Sequence, residues 1–477
     1  MEPVPIDAKK ARKPFAFIYY DSEKSALTAI EASSTIKDSS FYQQVKAAEP
    51  IDSTKRKRSN ASRQSQKDEY EHMVDVCSRT NLILQVQSTH VDRLKEYLSV
   101  FIPASYEKSS IAEVMKSIKV EGSMSAVTKN MSLVYVSVSD PFTLATELSQ
   151  TRHQQVLSRA VKKLYIVEPE SLQFDLSKKE GQQIAIAEIL GKNMSQYEES
   201  SSTDESFKLH IFPPSKQKGL LSTIEEMDTD GIISKRLNPR DANNIISIVQ
   251  VYQYKGKNSN VDSSALAMCG ISASFTTAAT KTQQNEEEEA ISRAYYKLKE
   301  SIERYEIENN FVKSELKGSI ALDVGSAPGG WSKYLASDIE CQLVHSVDPG
   351  TLTLSQNNIK HWKMKVQDAI PLIKNGIHNE NDKIKVFVSD ACLHSMEGQI
   401  DFLLEAQEEG ILASEVFFVL TLKCTVGYGK NNFDEQAKKV VADLQKRAIT
   451  KDVSTFHLFS NRSGERTIIG RLFDKNK

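Results

Sequence analysis

Cysteine is scarce in this sequence, and none stands where a metal site or a redox pair would need it. The 477 residues include five cysteines: Cys77, Cys269, Cys341, Cys392 and Cys424. They form no CxxC pair, and no histidine lies near them at metal-ligand spacing. We therefore expect free, buried thiols, a reducing compartment and no metal site.

Long apolar runs and net charge are also missing. The first residues, MEPVPIDAKKARKPFAF, lack the apolar core of a secretory signal, and no run reaches the roughly 20 apolar residues of a membrane span. The 61 basic and 63 acidic residues nearly cancel, so bulk charge indicates no partner. We expect a protein of the cytoplasm or nucleus with no membrane partner.

The chain is too long for one hydrophobic core, and polar stretches divide it. The predicted segments are an N-terminal α/β segment (1–52), a basic polar linker (53–70), an α+β region (71–275), an acidic linker (276–290) and a last domain (291–477). In the first linker, Lys55–Arg58 is compatible with a nuclear-import signal, a phosphate-binding arm or a solvated loop. Over 71–275 strand and helix patterns alternate, but no residue pattern points to chemistry.

The last domain has the pattern of an α/β fold. After Ala290 an amphipathic helix carries one apolar stripe, formed by Ile291, Tyr295, Leu298, Ile302 and Tyr305, and Lys297 lies off it. Apolar strands then alternate with helical segments, which predicts a mainly parallel sheet covered on both faces. The closing pair, TFHLFS and RTIIGRLF, predicts an antiparallel hairpin at the sheet edge.

A glycine-rich loop follows the first of these strands. It reads LDVGSAPGGW, with Asp323 at the strand end and small residues before a helix. Such a loop lets a ligand approach the backbone, and free N–H groups at the helix start favour a carboxylate. The spacing is not that of GxGxxG, and Asp348, which ends the second strand, suits ribose hydroxyls. A turn that only packs strand against helix is the alternative.

Three charged residues stand at the ends of apolar strands. Asp390 follows VFVS, Lys423 follows VFFVLTL, and Glu465 lies in the predicted hairpin turn NRSGERT. Individually each has an ordinary explanation, such as a snorkelling lysine or a solvated turn residue. Together they offer the basic group and carboxylates that activation of a poorly nucleophilic hydroxyl requires.

Five segments, in order, carry a resemblance to a known family. They are SRAYYKL, LDVGSAPGGWS, VQDA, VSDA with LTLK, and SNRSGERT. The domain resembles the FtsJ-like RNA 2′-O-methyltransferases over residues 291–473. This resemblance implies an α/β Rossmann-like methyltransferase fold, S-adenosyl-L-methionine as cofactor and RNA as partner.

The resemblance also implies roles for individual residues. The family's Lys-Asp-Lys-Glu tetrad falls on Lys297, Asp390, Lys423 and Glu465. Lys423 would activate the ribose hydroxyl, with Asp390 and Glu465 as its electrostatic partners and Lys297 as an anchor for substrate. The implied cofactor-binding residues are Asp323, Gly325, Ala327, Pro328, Gly329, Gly330, Trp331, Asp348, Asp368 and Asp390.

Departures from the family pattern bear on the substrate. ACLHSMEG replaces the usual proline-containing loop after Asp390, and CTVGYGK follows Lys423. The long N-terminal half resembles the branch with an appended THUMP-like RNA-binding region, as in bacterial 23S rRNA cytidine enzymes. Ribosomal RNA is placed slightly ahead of the other RNA substrates. The alternatives are an mRNA cap, for whose base Trp331 and Trp362 are the available tryptophans, a tRNA, and a catalytically silent RNA-binding scaffold.

Overall fold

The structure is a computed structural model, and residues Gln66–Lys477 form one compact unit in it. It describes residues 67–125, 130–150, 153, 157, 160–193, 205–229, 231, 233–253, 265–275, 293–309, 311, 313–423 and 430–474. The predictions for 1–52, for Lys55–Arg58 and for the linker 276–290 lie outside the described residues. None of the described helices is long and apolar enough to cross a bilayer.

The N-terminal region begins with a four-stranded antiparallel sheet of order β2-β3-β1-β4. Its strands are β1 (Leu82–Gln87), β2 (Lys119–Ser125), β3 (Met131–Ser137) and β4 (Val161–Ile166). The five central residues of β3 are all buried, so both faces of the sheet are covered.

Four helical stretches pack around this sheet. They are α1 (67–77), α2 (Ser88–His90, Val91–Glu96, Tyr97–Phe101 and Ile102–Ser105, in which Tyr97–Phe101 is a π-helical turn), α3 (Ala112–Lys116) and α4 (Pro141–Gln150). The linker predicted over 53–70 is wrong at its end, because residues 67–70 are helical. The polar first turn of α1 continues into Met73, Val76 and Cys77, which are buried against the sheet.

A second, three-stranded sheet completes the N-terminal region. Its strands are β5 (Phe207–Phe212), β6 (Asn244–Gln253) and β7 (Ala265–Ala273), with β5 parallel and β7 antiparallel to β6. The helices α5 (Lys179–Glu188) and α6 (Gln217–Met227) cover it, with Ile186, Ile224 and Ile246 in the shared core. The predicted α+β character is confirmed, while the THUMP-like identity stays a prediction.

The C-terminal sheet has seven strands in the order β10-β9-β8-β11-β12-β14-β13. They are β8 (Ile320–Val324), β9 (Leu343–Val347), β10 (Ile359–Trp362), β11 (Ile384–Ser389), β12 (Leu412–Lys423), β13 (Ile449–Phe456) and β14 (Glu465–Phe473). The first five are parallel, and β14 runs antiparallel between β12 and β13. This confirms the predicted α/β sheet with an antiparallel edge hairpin.

Helices cover both faces of the C-terminal sheet. They are α7 (Arg293–Asn309), α8 (Gly330–Ser337), α9 (Val366–Lys374), α10 (Glu397–Glu408) and α11 (Lys430–Arg447). One core lies under α9, α10 and α11, and the other lies under α7 and α8. Of the predicted α7 stripe, Leu298, Ile302 and Tyr305 are fully buried, Tyr295 is half-buried, and Ile291 lies outside the described residues.

The closing hairpin differs in detail from its prediction. β13 ends at Phe456, because Leu458 and Phe459 leave the strand and pack into different cores. Glu465 is the first residue of β14 rather than a turn residue. The segment between the strands, residues 457–464, is called the β13–β14 loop below.

The thiols follow the prediction with one exception. Cys77, Cys269 and Cys341 are free and buried, and Cys424 lies outside the described residues. Cys392 is free but exposed, so its predicted burial is wrong. It follows Ala391 in the loop after β11, where it faces an open cavity rather than a core.

Candidate active site

A cavity of about 940 Å³ opens at the carboxyl ends of β8, β9, β11 and β12. This is where open parallel sheets bind ligands, and the volume lies in the range of cofactor sites. Its walls come from the loops that follow these strands, from the start of α7 and from the β13–β14 loop.

The glycine-rich loop after β8 lines the cavity. Two of its backbone positions can be occupied only by glycine without strain or a clash. Gly325 has a φ of +77°, and a Cβ there would stand 2.6 Å from the Cα of Ala391. Gly329 has a φ of +121°, and a Cβ there would stand 2.1 Å from a methyl carbon of Leu354. The Gly325 N–H donates to Val347 O at 2.9 Å, which ties the loop to the end of β9.

Asp348 braces the same loop from the second strand. Its Oδ2 accepts a hydrogen bond from Ala327 N at 3.1 Å, and its Oδ1 accepts one from Gly350 N at 2.6 Å. Each carboxylate oxygen has a second lone pair. The half-buried carboxylate, which lines the cavity, can therefore also accept hydroxyl donors from a ligand.

Asp323 lies fully buried at the end of β8. Ser332 Oγ donates to its Oδ2 at 2.6 Å, while Oδ1 is buried with no hydrogen-bond partner among the described residues. Burial, together with the charges of Asp390 and Asp348, raises the pKa of Asp323 to about 7. A buried carboxylate with an unused oxygen is a good partner for a cationic ligand group.

The four residues of the predicted tetrad meet in one cluster that lines the same cavity. Lys297 Nζ lies 2.9 Å from Asp390 Oδ1 and 3.2 Å from Glu465 Oε2. Lys423 Nζ lies 3.0 Å from the same Asp390 oxygen. Two ammonium groups and two carboxylates thus form one connected, charge-balanced cluster that lines the cavity.

The cluster is largely withdrawn from solvent, with side-chain exposures between 6% and 15%. Burial alone would raise the pKa of Asp390, but the ammonium groups of Lys297 and Lys423 outweigh it, and the pKa lies below its usual value. Asp390 is therefore ionised at neutral pH. At such low exposure, charge interactions are stronger than at a solvated surface.

Strand register brings the tetrad together. Lys423 ends β12, Glu465 begins the antiparallel β14, and the two residues are direct cross-strand partners. Asp390 immediately follows β11, the other neighbour of β12.

Lys297 comes from helix α7, which a buried tryptophan positions. Trp331 Nε1 donates to Ala294 O at 2.6 Å, one turn before Lys297. Lys297 lies off the apolar stripe, as expected, yet it is only 5% exposed because its ammonium group points into the charged cluster.

The other predicted cofactor residues divide into two groups. Those that line the cavity are Gly325, Ala327, Pro328, Gly330, Trp331, Asp348 and Asp390. Among the described residues, Asp323 and Gly329 lie behind the wall, and Asp368 is exposed in the first turn of α9, where its neighbour Gln367 lines the cavity.

Several lining residues were not recognised as functional from the sequence. Near the tetrad the cavity is also lined by Cys392, His394, Phe402, Ser460 and Arg462. Cys392 Sγ lies 3.7 Å from Lys423 Nζ. Two of these residues belong to ACLHSMEG, the segment in which the chain departs from the family pattern, and that departure was the available signal.

Both tryptophans already make contacts within the protein. Trp331 is 2% exposed. Trp362 donates to His345 Nδ1 at 3.0 Å, and the ammonium group of Lys360 lies 4.1 Å from its ring centroid. Neither therefore offers two free ring faces for a cap guanine.

Comparison with known proteins places the domain in a family. Residues 290–457 match the family model of FtsJ-like methyltransferases. An uncharacterized protein of Methanocaldococcus jannaschii is 25% identical over 182 residues, which are 38% of this chain and 47% of that protein. The match thus spans about half of that relative's length.

Solved structures are similar at a lower level. The fibrillarin pre-rRNA processing protein of Methanococcus jannaschii is 14% identical with a TM-score of 0.28, over 35% of this chain and 71% of that one. Human methyltransferase-like protein 13, in complex with SAH, is 16% identical with a TM-score of 0.26, over 35% and 78%. Likeness at these scores carries no argument about function. Residues 290–457 of this chain thus form a domain that matches the FtsJ-like methyltransferases, a family whose cofactor is S-adenosyl-L-methionine.

Proposed function

We propose that the chain transfers a methyl group from S-adenosyl-L-methionine to a ribose 2′-hydroxyl of RNA, with ribosomal RNA as the substrate. The observation that carries the proposal is the convergence of Lys297, Asp390, Lys423 and Glu465 in one cluster at the cavity that the glycine-rich loop also lines. A hydroxyl needs such a cluster to become a nucleophile, whereas a thiol or amine acceptor does not.

The cavity suits the cofactor. The amino group of the methionine portion is a cation, and the carboxylate of Asp323, buried behind the loop, would attract it by charge. Asp348 would accept the ribose hydroxyls of the adenosine portion. Gln367 and Asp368, at the start of α9, would contact the adenine. When bound, the cofactor supplies a methyl group on a sulfonium, which needs no further activation.

The proposed mechanism assigns one task to each tetrad residue. The Lys423 ammonium group would donate a hydrogen bond to the ribose oxygen and stabilise the negative charge that develops there, while the hydroxyl proton passes to water and the cofactor would supply the methyl group. Asp390, ionised and 3.0 Å from Lys423, holds this ammonium group in place. Glu465 orients Lys297, which holds the hydroxyl oxygen or a neighbouring phosphate.

The test is radiolabelled methyl transfer from S-adenosyl-L-methionine to separated cellular RNA fractions, followed by nuclease digestion to locate the label. Lys423→Ala should lower the rate about 100-fold or more, because the group that activates the hydroxyl is gone. Lys385→Ala is the matched control, since Lys385 is an exposed lysine of β11 outside the cavity lining. It should keep the wild-type rate.

Each outcome separates the alternatives. Label on ribose in ribosomal RNA that vanishes in Lys423→Ala supports the proposal in full. Label on an mRNA cap or on tRNA changes the substrate and keeps the reaction. Binding of S-adenosyl-L-methionine without label in any fraction overturns the proposal in favour of an RNA-binding scaffold. The proposed location is the cytoplasm or the nucleus.

A further inference from the structure

The β13–β14 loop is held by the N-terminal region as well as by its own domain. Arg93, in helix α2, is 5% exposed, and its Nη1 donates to Leu458 O at 2.8 Å and to Asn461 O at 2.9 Å. Phe459 O lies 3.4 Å from the same nitrogen. A buried guanidinium that donates to successive carbonyls of one loop fixes that loop's path.

The same loop holds the carboxylate of the tetrad residue that follows it. Arg462 N donates to Glu465 Oε2 at 3.0 Å, the oxygen that lies 3.2 Å from Lys297 Nζ. Glu465 N in turn donates to Arg462 O at 3.1 Å. The Asn461 carbonyl that accepts from Arg93 and the Arg462 N–H that orients Glu465 therefore belong to the same peptide group.

Aromatic packing fixes the loop from the same side. Phe459 is 4% exposed and belongs to the core of the N-terminal region, where its ring meets Tyr97 edge to face with centroids 5.3 Å apart. The guanidinium of Arg304 lies 5.3 Å from the Tyr97 centroid and 5.8 Å from that of Phe459. Such contacts are strongest when they are withdrawn from water, as here.

Helix α7 supplies the opposing contact. Both carboxylate oxygens of Glu300 accept a hydrogen bond from Phe459 N, at 3.1 Å each. Glu300 is one turn beyond Lys297 on this helix. The loop thus lies between a donor of the N-terminal region and an acceptor of the helix that carries a tetrad lysine.

We propose that the N-terminal region is a working part of the active site, and that Arg93 is a positioning residue which sets the geometry of Glu465 through the β13–β14 loop. Arg93 acts on Glu465 through the loop backbone, to which its guanidinium donates. The inference rests on the proposed function for the role of Glu465. The structural part, that Arg93 restrains the loop, stands independently of methyl transfer.

The first measurement is hydrogen exchange of the full chain, which needs no activity. Arg93→Met keeps the apolar stem and removes the donors, so exchange at the amides of Phe459 and Arg462 should rise about tenfold or more. Exchange in strand β9 should stay at the wild-type rate. Arg79→Met is the matched control, because Arg79 is a half-exposed arginine of the N-terminal region that pairs with Asp75 and Glu121 instead. Unchanged exchange in the loop of Arg93→Met overturns the proposal.

The second measurement is the split between kcat and KM. Arg93→Met should lower kcat about tenfold or more through misplacement of Glu465, with KM for S-adenosyl-L-methionine within about twofold of wild type. Arg93→Lys retains a cation with poorer hydrogen-bond geometry, so its kcat should lie between those of wild type and Arg93→Met. If Arg93→Met does not fold, the kcat of Arg93→Lys tests the positioning role. A folded variant with faster loop exchange but wild-type kcat overturns the positioning role. A wild-type chain that labels no RNA refutes the proposed function and leaves the exchange result standing.

Discussion

Asp323 combines complete burial with a missing hydrogen-bond partner at Oδ1 among the described residues. Its pKa of about 7, against 3.8 for an ordinary aspartate, makes it the residue through which pH acts on the cofactor end of the cavity. Asp390 behaves oppositely. Two ammonium groups hold the pKa of Asp390 below its usual value, so its charge is unchanged over the same range.

A pH-dependent stability follows from Asp323. Between pH 3.8 and about 7 the folded chain binds this proton more tightly than the unfolded chain does, so the free energy of unfolding falls as pH rises. The fall for the ligand-free protein should reach about 4 kcal/mol at pH 8. Urea unfolding at pH 4 to 8 measures it, and Asp323→Asn should lack this component. Parallel curves for wild type and variant would contradict the assignment.

At the scale of elements, the glycine-rich loop depends on backbone geometry as well as on chemistry. Gly325 and Gly318 share nearly the same φ, +77° and +72°, but only at Gly325 would a Cβ meet neighbouring backbone. The two positions therefore separate the cost of a left-handed conformation from the cost of a clash with Ala391.

Gly325→Ala should lower the free energy of unfolding by about 2 kcal/mol more than Gly318→Ala, which carries only the conformational strain of about 1 kcal/mol. It should also abolish binding of S-adenosyl-L-methionine, because the loop must move away from β11. Thermal unfolding and calorimetric titration measure the two effects. An equal loss of unfolding free energy in both variants would mean that the loop moves away from Ala391 without an energetic cost.

The elements also show where sequence patterns are reliable. β11 ends with the apolar VFVS run that precedes Asp390, because short apolar runs between polar segments leave little choice of boundary. β13 was predicted to include Leu458 and Phe459. Those residues are apolar because each packs into a different core. A strand pattern cannot distinguish apolar residues of a strand from apolar residues of a loop that are buried in this way.

At the scale of the whole molecule, the N-terminal and C-terminal regions lie in one compact unit and share buried residues. Phe459 belongs in sequence to the C-terminal domain but in packing to the N-terminal core. We therefore expect the two regions to lose structure together when this contact is weakened.

Phe459→Ala should lower the free energy of unfolding by about 3 kcal/mol and lower the melting temperature of both regions, because it opens a cavity in the N-terminal core. Phe142→Ala is the matched control, with a side chain that is 40% exposed, and should change stability by about 0.5 kcal/mol or less. Calorimetry of the full chain, with hydrogen exchange to assign the regions, measures both. Unfolding of the C-terminal domain alone would contradict the shared core.

The sequence by itself determined the fold of the C-terminal domain and its glycine-rich loop, and it singled out the four residues whose side chains the structure brings together. These features depend on short segments whose order and spacing can be read along the sequence. The parallel sheet places the end of each such strand at the same edge, where the ligand site lies. The tertiary structure alone decided that Glu465 begins a strand opposite Lys423, and that Arg93 grips a loop 365 positions away at Leu458. No local pattern encodes such a contact, because a buried arginine acquires its partners only when distant segments pack together.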